Sequence, residues 1–384
     1  MNGKHTDVII VGGGPVGLFL ACLLLQKGVS CVILEQREEP SRHTRSLGIH
    51  PPALERLAEV GIAEELIERA VQISEGRAFS GPTVLGSMTF ESCPPPYRFI
   101  LALPQFITEA ILEKRLKELD DSALLRGATV TEVFDSGGHV IVRAVLGEQE
   151  VRYRSTYVVG CDGFNSQVRR SANIEFPGGK YTDTYVMGDF EDRSNLGSQA
   201  GIFLTKEGVV ESIPLPGSVR RWVAKTKTLL EDASADTLAK IIQKRTGIQV
   251  RSQTCSMISA FSVYHHLATE LARGRILLAG DAAHVVSPIG GQGMNLGWLG
   301  AWTLSTALAG AIQNSGSAKS LFDSYSESQR RAAITVRKRS EFNMWMAREG
   351  PLLPLKRTLV KWTLDSRVRS YFAKMFTMRG IQSQ

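Results

Sequence analysis

The stretch at residues 7–36, DVIIVGGGPVGLFLACLLLQKGVSCVILEQ, decides the fold. Residues 7–11 form an apolar run of strand type, and Gly12, Gly14 and Gly17 follow with G-x-G-x-x-G spacing around Pro15 and Val16. Residues 18–27 have the length and leucine content of a buried helix, Gly28 can end it, and residues 30–34 make a second strand that stops at Glu35. This is a β-α-β unit of the kind that binds a dinucleotide. Gly12 permits the tight turn, Gly14 lets a pyrophosphate approach the backbone, and Gly17 lets the helix pack closely. The helix N-terminus offers free N–H groups to the diphosphate, and Glu35, 18 residues after Gly17, can accept from the ribose hydroxyls. Whether the dinucleotide is FAD or NAD(P) is left open by this segment, since both use it.

The rest of the composition narrows the class. A chain of 384 residues with 43% apolar side chains supports two cores without repeats or low complexity. No apolar run reaches bilayer length, and with a strand starting near residue 7 no leader is expected, so the cytoplasm is the expected compartment. The five cysteines, Cys22, Cys31, Cys93, Cys161 and Cys255, are widely spaced and are expected to be buried free thiols, with neither disulfide nor metal site. Of the net charge of +7, +6 resides in residues 351–384. Basicity confined to a tail is not a nucleic-acid groove, and no nucleic-acid partner is expected.

Beyond Glu35, a charged loop contains Arg42, Arg45 and His50, and residues 52–60 have helical spacing. Residues 73–88 read as strands and residues 93–97, CPPPY, as a rigid break. A helix is expected at 104–119, with Gln105 in its first turn. Residues 130–153 read as a β-meander, and YVVGCDG at 157–163 as a buried strand running into a turn. Asp162 there is either a turn former or an acid presented to a ligand. Short strands dominate 178–271, interrupted by one helix near 236–246. An antiparallel sheet inserted into a dinucleotide fold makes a natural roof for a pocket.

A second stretch, GRILLAGDAAHVVSPIGGQGMNLGWLGAWTLSTAL at 274–308, repeats the strand, glycine loop and helix arrangement. Asp281 stands at the strand's carboxyl end and Pro288, Gly291, Gln292 and Gly293 lead into the helix. Glycines there would let a flat ring reach the amides of the helix N-terminus.

With these motifs in order, the chain resembles the flavoprotein monooxygenases typified by para-hydroxybenzoate hydroxylase. The resemblance rests on Gly12–Gly17 with Glu35, on G-x-D-G-x-x-S-x-V-R ending at Arg169, and on Gly280-Asp281 with Pro288 to Asn295, and covers residues 7–345. It implies that Glu35 holds the adenosine ribose, that Arg45 and Gln105 meet the FAD diphosphate, and that Asp281 bonds the ribityl chain. Gly291, Gln292, Gly293, Met294 and Asn295 would line the isoalloxazine, near Pro288, and Asp162 with Arg169 would serve FAD and nicotinamide use. The family usually carries an Asp and an Asn near the positions of Gly300 and Thr303, so contacts on that helix face differ here.

The resemblance implies an α/β (α+β) fold: a Rossmann-type FAD-binding domain from 1–75, 98–177 and 272–350, an inserted antiparallel β-sheet substrate domain from 76–97 and 178–271, and a C-terminal helical segment at 351–384. The implied activity is an NAD(P)H-driven, O2-dependent hydroxylation of an aromatic or quinone-like small molecule through a flavin hydroperoxide. A reductase, epoxidase or halogenase of the same fold, or a non-catalytic FAD-binding protein, are the alternatives; the halogenase W-x-W-x-I-P and prenyl-reductase Y-x-W-x-F-P motifs are absent. Flavin chemistry demands no protein acid or base. His50, His265, Arg220 and Arg221 are the candidate substrate residues, and His284 is expected to order the loop after Asp281. The basic tail, with its interleaved leucines and aromatics, is a candidate for peripheral membrane contact.

Overall fold

The computed structural model describes residues 6–41, 46–313 and 318–381. Its first sheet is built on the parallel order Ala272–Arg273, Ile276–Leu278, Gln149–Gly160, Thr6–Val11, Cys31–Glu35 and Leu124–Arg126, where only the outermost pair is antiparallel. The strands Val140–Leu146 and Ala128–Asp135 extend it as an antiparallel meander. Val8, Ile9 and Ile10 are fully buried, as expected of a strand covered on both faces. The helix Pro15–Gln26 packs on this sheet, and the helix Gln292–Gln313 packs against that helix.

The second sheet has eight strands in the order His284–Val285, Met257–Leu267, Gly178–Glu191, Val219–Thr226, Gly208–Leu215, Ala200–Thr205, Glu75–Ser80 and Thr83–Thr89. It departs from the expected antiparallel sheet at one seam, where Ala200–Thr205 runs parallel to Glu75–Ser80. Side chains alternate between its faces. Val186, Phe190, Trp222 and Ala224 join Leu238 and Ile242 of the helix Ala235–Thr246 in an outer core. Tyr185, Met187, Val209, Val223 and Phe261 face inward, toward Met344 and Leu353. A small sheet, Gly48–Ile49, Ile100–Ala102 and Val71–Ile73, lies between these layers in the chain and was not anticipated, because its strands are two or three residues long.

The basic tail forms two helices, Leu353–Asp365 and Arg369–Phe376, that pack against the Thr83–Thr89 strand. Lys356, a tail residue, is buried and donates to the carbonyls of Trp345 and Arg348 at 2.6 and 2.9 Å, closing the end of the helix Ala318–Ala347. No helix among the described residues is long and apolar enough to cross a membrane. The cysteines are all unpaired; Cys22, Cys31 and Cys93 are buried, whereas Cys161 and Cys255 are only half-buried, contrary to expectation.

Candidate active site

The first glycine turn is dictated by close approach. Gly12 has φ +106°, and a Cβ on it would lie 2.4 Å from the Cys161 carbonyl oxygen. At Gly17 a Cβ would overlap the Gly12 carbonyl. Gly14 is different: nothing lies within 4 Å of its missing Cβ, and it lines an open cleft. Glu35 closes the turn from the neighbouring strand, accepting from the N–H of Gly13 at 2.6 Å and of Arg37 at 2.9 Å. Its carboxylate borders the same cleft.

Contacts from Pro15 and Val16 lock this turn to the distant glycine loop, and Arg169 braces that loop from a third segment. The Trp298 indole donates to the Pro15 carbonyl at 3.0 Å. The Val16 side chain sits where a Cβ on Gly280 or on Gly297 would be, at 3.2 and 2.7 Å. Arg169, stacked 3.7 Å over Phe176, donates to the carbonyls of Ala282 and Phe164 at 2.9 and 2.8 Å. Asp281 is thereby held at the mouth of the cleft. Its surface is cavity surface, so it is exposed, yet the protein packed around it pushes its carboxyl up to about 6.

Asp162 serves both readings of its position. Its Oδ2 accepts from the N–H groups of Gln167 and Val168 at 2.6 and 3.1 Å, while its Oδ1 is buried without a partner at the cleft wall. Burial raises its pKa and these hydrogen bonds oppose the shift. An orphaned buried oxygen beside an open glycine cradle and a ribose-accepting acid fits a dinucleotide.

The cleft continues without interruption under the second sheet as one cavity of about 1410 Å³. That exceeds the roughly 300–1,000 Å³ of a pocket for one drug-sized ligand, so there is room for a cofactor and a second molecule. Pro288, Gly291, Gly293 and Met294 line the cavity where the two parts meet. Gly291 has φ +67° and Gly290 φ +93°. The helix Gln292–Gln313 begins at this junction, where Gly293 and Met294 line the cavity, and its first N–H groups have no intrahelical acceptor. Met187, Ile202, Glu211, Val223 and Phe261 line the far chamber, and the tail residues Leu359, Trp362, Leu364 and Phe376 wall its side.

Comparison with known proteins agrees with this geometry. Residues 5–340 match the model of the FAD binding domain family. An uncharacterized aromatic compound monooxygenase of Bacillus subtilis is 34% identical over 345 residues, covering 87% of this chain and 67% of that one. The chain belongs to the FAD-binding monooxygenase family. Rifampicin monooxygenase of Streptomyces venezuelae is 29% identical over 385 residues, covering 98% of this chain and 79% of its own. Among solved structures, p-nitrophenol 4-monooxygenase from Pseudomonas putida shares the fold with a TM-score of 0.90 at 23% identity, covering 99% and 100% of the two chains. Anhydrotetracycline hydroxylase from Streptomyces rimosus superposes with a TM-score of 0.80 at 26% identity, covering 98% and 76%.

Several expected site residues of this monooxygenase prove to be structural. Arg220 is fully buried on the outer face of the second sheet, bound to Asp192, Ser212 and the carbonyls of Gln199 and Gly197, and cannot clamp a substrate carboxylate. Arg221 does line the chamber, but Asp189 takes its guanidinium through two bonds of 2.7 and 2.8 Å. His265 packs against Tyr181 with ring centroids 4.5 Å apart and lies off the cavity, as does His266, whose Nδ1 meets the Phe176 carbonyl oxygen. Arg169 and Gly17 brace the loops and do not border the cleft. The Gln292 and Asn295 side chains also turn away: Asn295 accepts from the His50 N–H at 2.8 Å and donates to the carbonyls of Gly48 and Gly291. The helical period explains the misses at Gly17, Arg169, Gln292 and Asn295, and the alternation of a strand explains Arg220, since only part of each motif can face the cavity.

Other expectations land on the cavity. Pro15, Val16, Gln105 and His50 all border it, and Gln105 donates to Glu109 at 2.6 Å. Burial pushes the His50 imidazole down to about 4, so it stands neutral, with its Nδ1 unpartnered. His284 meets Gln329 at 2.9 Å and anchors the loop after Asp281 to the helix Ala318–Ala347. Arg45 and Arg42 lie outside the described residues. The departure at Gly300 has a packing cause: a Cβ there would lie 2.5 Å from the Gln329 amide nitrogen, so the notch houses that side chain. Glu211, which the sequence reading passed over, is the one carboxylate on the inner face of the second sheet that lines the chamber with no ion-pair or hydrogen-bond partner among the described residues. Its signal was a single Glu in the run GVVESIPL, between apolar residues of period two.

Proposed function

We propose that this monooxygenase hydroxylates a lipophilic aromatic or quinone-like ring, drawing on NAD(P)H and O2 through FAD. The observation that carries the reading is the continuity of the glycine-lined cleft with a second, mostly apolar chamber. Bound FAD supplies the redox chemistry, accepting hydride and activating O2.

The chain's own part is to bind, orient and exclude water. Glu35 receives the ribose, the open cradle at Gly14 receives the diphosphate at a helix N-terminus, and Asp281 stands to accept from the ribityl chain. The N–H groups beginning the Gln292–Gln313 helix stabilise negative charge at the cavity junction, each such donor being worth about 2.7–4 kcal/mol in comparable settings. Val223, Ile202, Met187 and Phe261 keep the ring in a dry chamber. His50, neutral beside Gly290, adds no charge of its own at that junction.

The test is an absorbance spectrum of the purified protein, followed by phenols, quinones and quinolones screened for accelerated NAD(P)H oxidation with matching O2 uptake. A bound flavin with substrate-dependent, product-coupled oxidation supports the reading. Flavin reduction without oxygen incorporation would favour a reductase, and bound flavin without turnover a non-catalytic protein.

The outward residues of the tail, Leu352 and Leu355, are 50% and 64% exposed on a segment that also carries Lys361 and Arg367. They support contact with an anionic membrane surface, each basic residue adding about 1 kcal/mol. Sedimentation with phosphatidylserine vesicles tests this, and full recovery in the supernatant at low salt would end it.

A further inference from the structure

The inner face of the second sheet carries one unmatched charge in apolar surroundings. Register places Glu211 opposite Val223 on one side and Ile202 on the other, with Met187 beyond Val223 and Ala78 beyond Ile202. Along its own strand, Val209 and Ile213 precede and follow it on the same face. All four immediate neighbours on that face are aliphatic. A carboxylate placed there loses hydration and regains nothing from the protein.

The surrounding charges are committed elsewhere. Arg221 is bound by Asp189, Lys225 by Glu349 at 3.0 Å with Asp183 at 3.8 Å, and Arg77 leans on Glu75 at 3.9 Å. The Tyr185 hydroxyl is buried with no partner and feels the charge of Glu211. The tail helix contributes only uncharged cavity residues, Leu359, Val360, Trp362, Thr363 and Leu364, and Met257–Leu267 adds Phe261, Ser262 and Tyr264. A half-buried acid without a protein partner among the described residues, lining a chamber large enough for a ring, is a group waiting for a donor from the ligand.

We propose that Glu211 is the recognition and proton-accepting residue of the substrate chamber, selecting rings that present a hydroxyl. This rests on the reading of the cavity as a substrate chamber. The substrate O–H bond breaks, its electron pair stays on the ring oxygen, and the proton forms an O–H on the Glu211 carboxylate. The resulting oxyanion enriches the ring in electrons, which suits it to receive an oxygen atom. Burial holds the Glu211 carboxyl at about 7, so it exchanges a proton near neutrality.

The experiment compares 1-naphthol with 1-methoxynaphthalene, which keeps the ring and removes the donor. Binding to the FAD-loaded protein is read by flavin fluorescence at pH 6 and pH 8, in the native chain, in Glu211→Gln and in Glu211→Leu. The expected result is a tenfold or greater preference for the naphthol at pH 8 that weakens at pH 6 in the native chain. Glu211→Gln should cut that preference to threefold or less and remove its pH dependence, and Glu211→Leu should reverse it. Equal binding of the two probes by the native chain, binding of neither, or an unchanged preference in both variants overturns the proposal. Flavin content is recorded in every sample, and NADH oxidation is followed separately. A colourless protein therefore sinks the cofactor reading, whereas a Glu211-dependent preference without NADH oxidation sinks the oxygenase reading and leaves Glu211 as the selecting residue.

Discussion

At Gly293 a Cβ would lie 3.3 Å from Val286, and the residue borders the cavity where flavin and substrate spaces join. Gly293→Val adds a Cβ at that contact and two methyl groups beyond it; because Val is the better helix former of the two, the penalty is steric. We expect flavin content after purification to fall at least tenfold, read from the visible spectrum, with the fold retained by circular dichroism. Retention of stoichiometric flavin with normal NAD(P)H turnover would remove this loop from the site. The glycines of the first turn answer to a different constraint. Gly12 and Gly17 are fixed by backbone contacts within the fold, and only Gly14 faces open space, so spacing alone could not tell which glycine meets ligand.

Among the elements, the long helices are joined by polar side chains that no sequence period reveals. Lys356 reaches from the tail helix Leu353–Asp365 to the last carbonyls of Ala318–Ala347. Lys356→Met keeps the aliphatic stem but leaves both acceptors unmatched, and should cost about 1.5–3 kcal/mol in urea denaturation. It should also speed proteolysis within residues 353–376, which wall the chamber. Gly300 and Gln329 form the second joint. Gly300→Ala gains up to about 1 kcal/mol of helix propensity, but displaces a Gln329 side chain bonded to His284 and the Leu296 carbonyl, worth about 1–3 kcal/mol. The sign should be a net loss of stability, and an increase would show that Gln329 moves aside freely. The Leu353–Asp365 and Arg369–Phe376 helices were legible as amphipathic and basic; that their apolar residues turn partly onto the Thr83–Thr89 strand was not.

Over the whole molecule, titratable groups with protein packed around them give opposing responses to pH. His50 and His284 are held down to about 4 by burial, below the unfolded value near 6.5. Their contribution is complete above pH 6.5 and is lost as pH falls toward 4, by up to about 3 kcal/mol each. Asp281 and Glu211 are held up at about 6 and about 7, so their contribution is complete below pH 4 and is lost as pH rises through those values. Flavin-free protein should therefore show nearly flat stability between pH 4.5 and 6.5. Glu211→Gln removes one opposing term, so it should be about 1–2 kcal/mol more stable than the native chain at pH 8 and no different at pH 4. Equal denaturation midpoints at both pH values would mean that Glu211 ionises without penalty in its chamber.

The sequence by itself determined the β-α-β unit, the second glycine loop and the presence of an inserted sheet, because each is a local pattern: a run of buried strand residues, a fixed glycine spacing, an alternation of period two. It also determined the acid after the second strand, Glu35, whose position follows from the length of one helix. Tertiary structure alone decided which motif residues face the cavity. Arg169, Gln292 and Asn295 sit inside the right motifs and point into the protein, while Arg220 and Arg221 are adjacent in sequence and on opposite faces of one strand. It alone decided that Glu211 stands without a counter-charge, since that depends on what Val223 and Ile202, from two other strands, fail to offer. A side chain's partners are set by elements far away in the chain, and no local pattern encodes them.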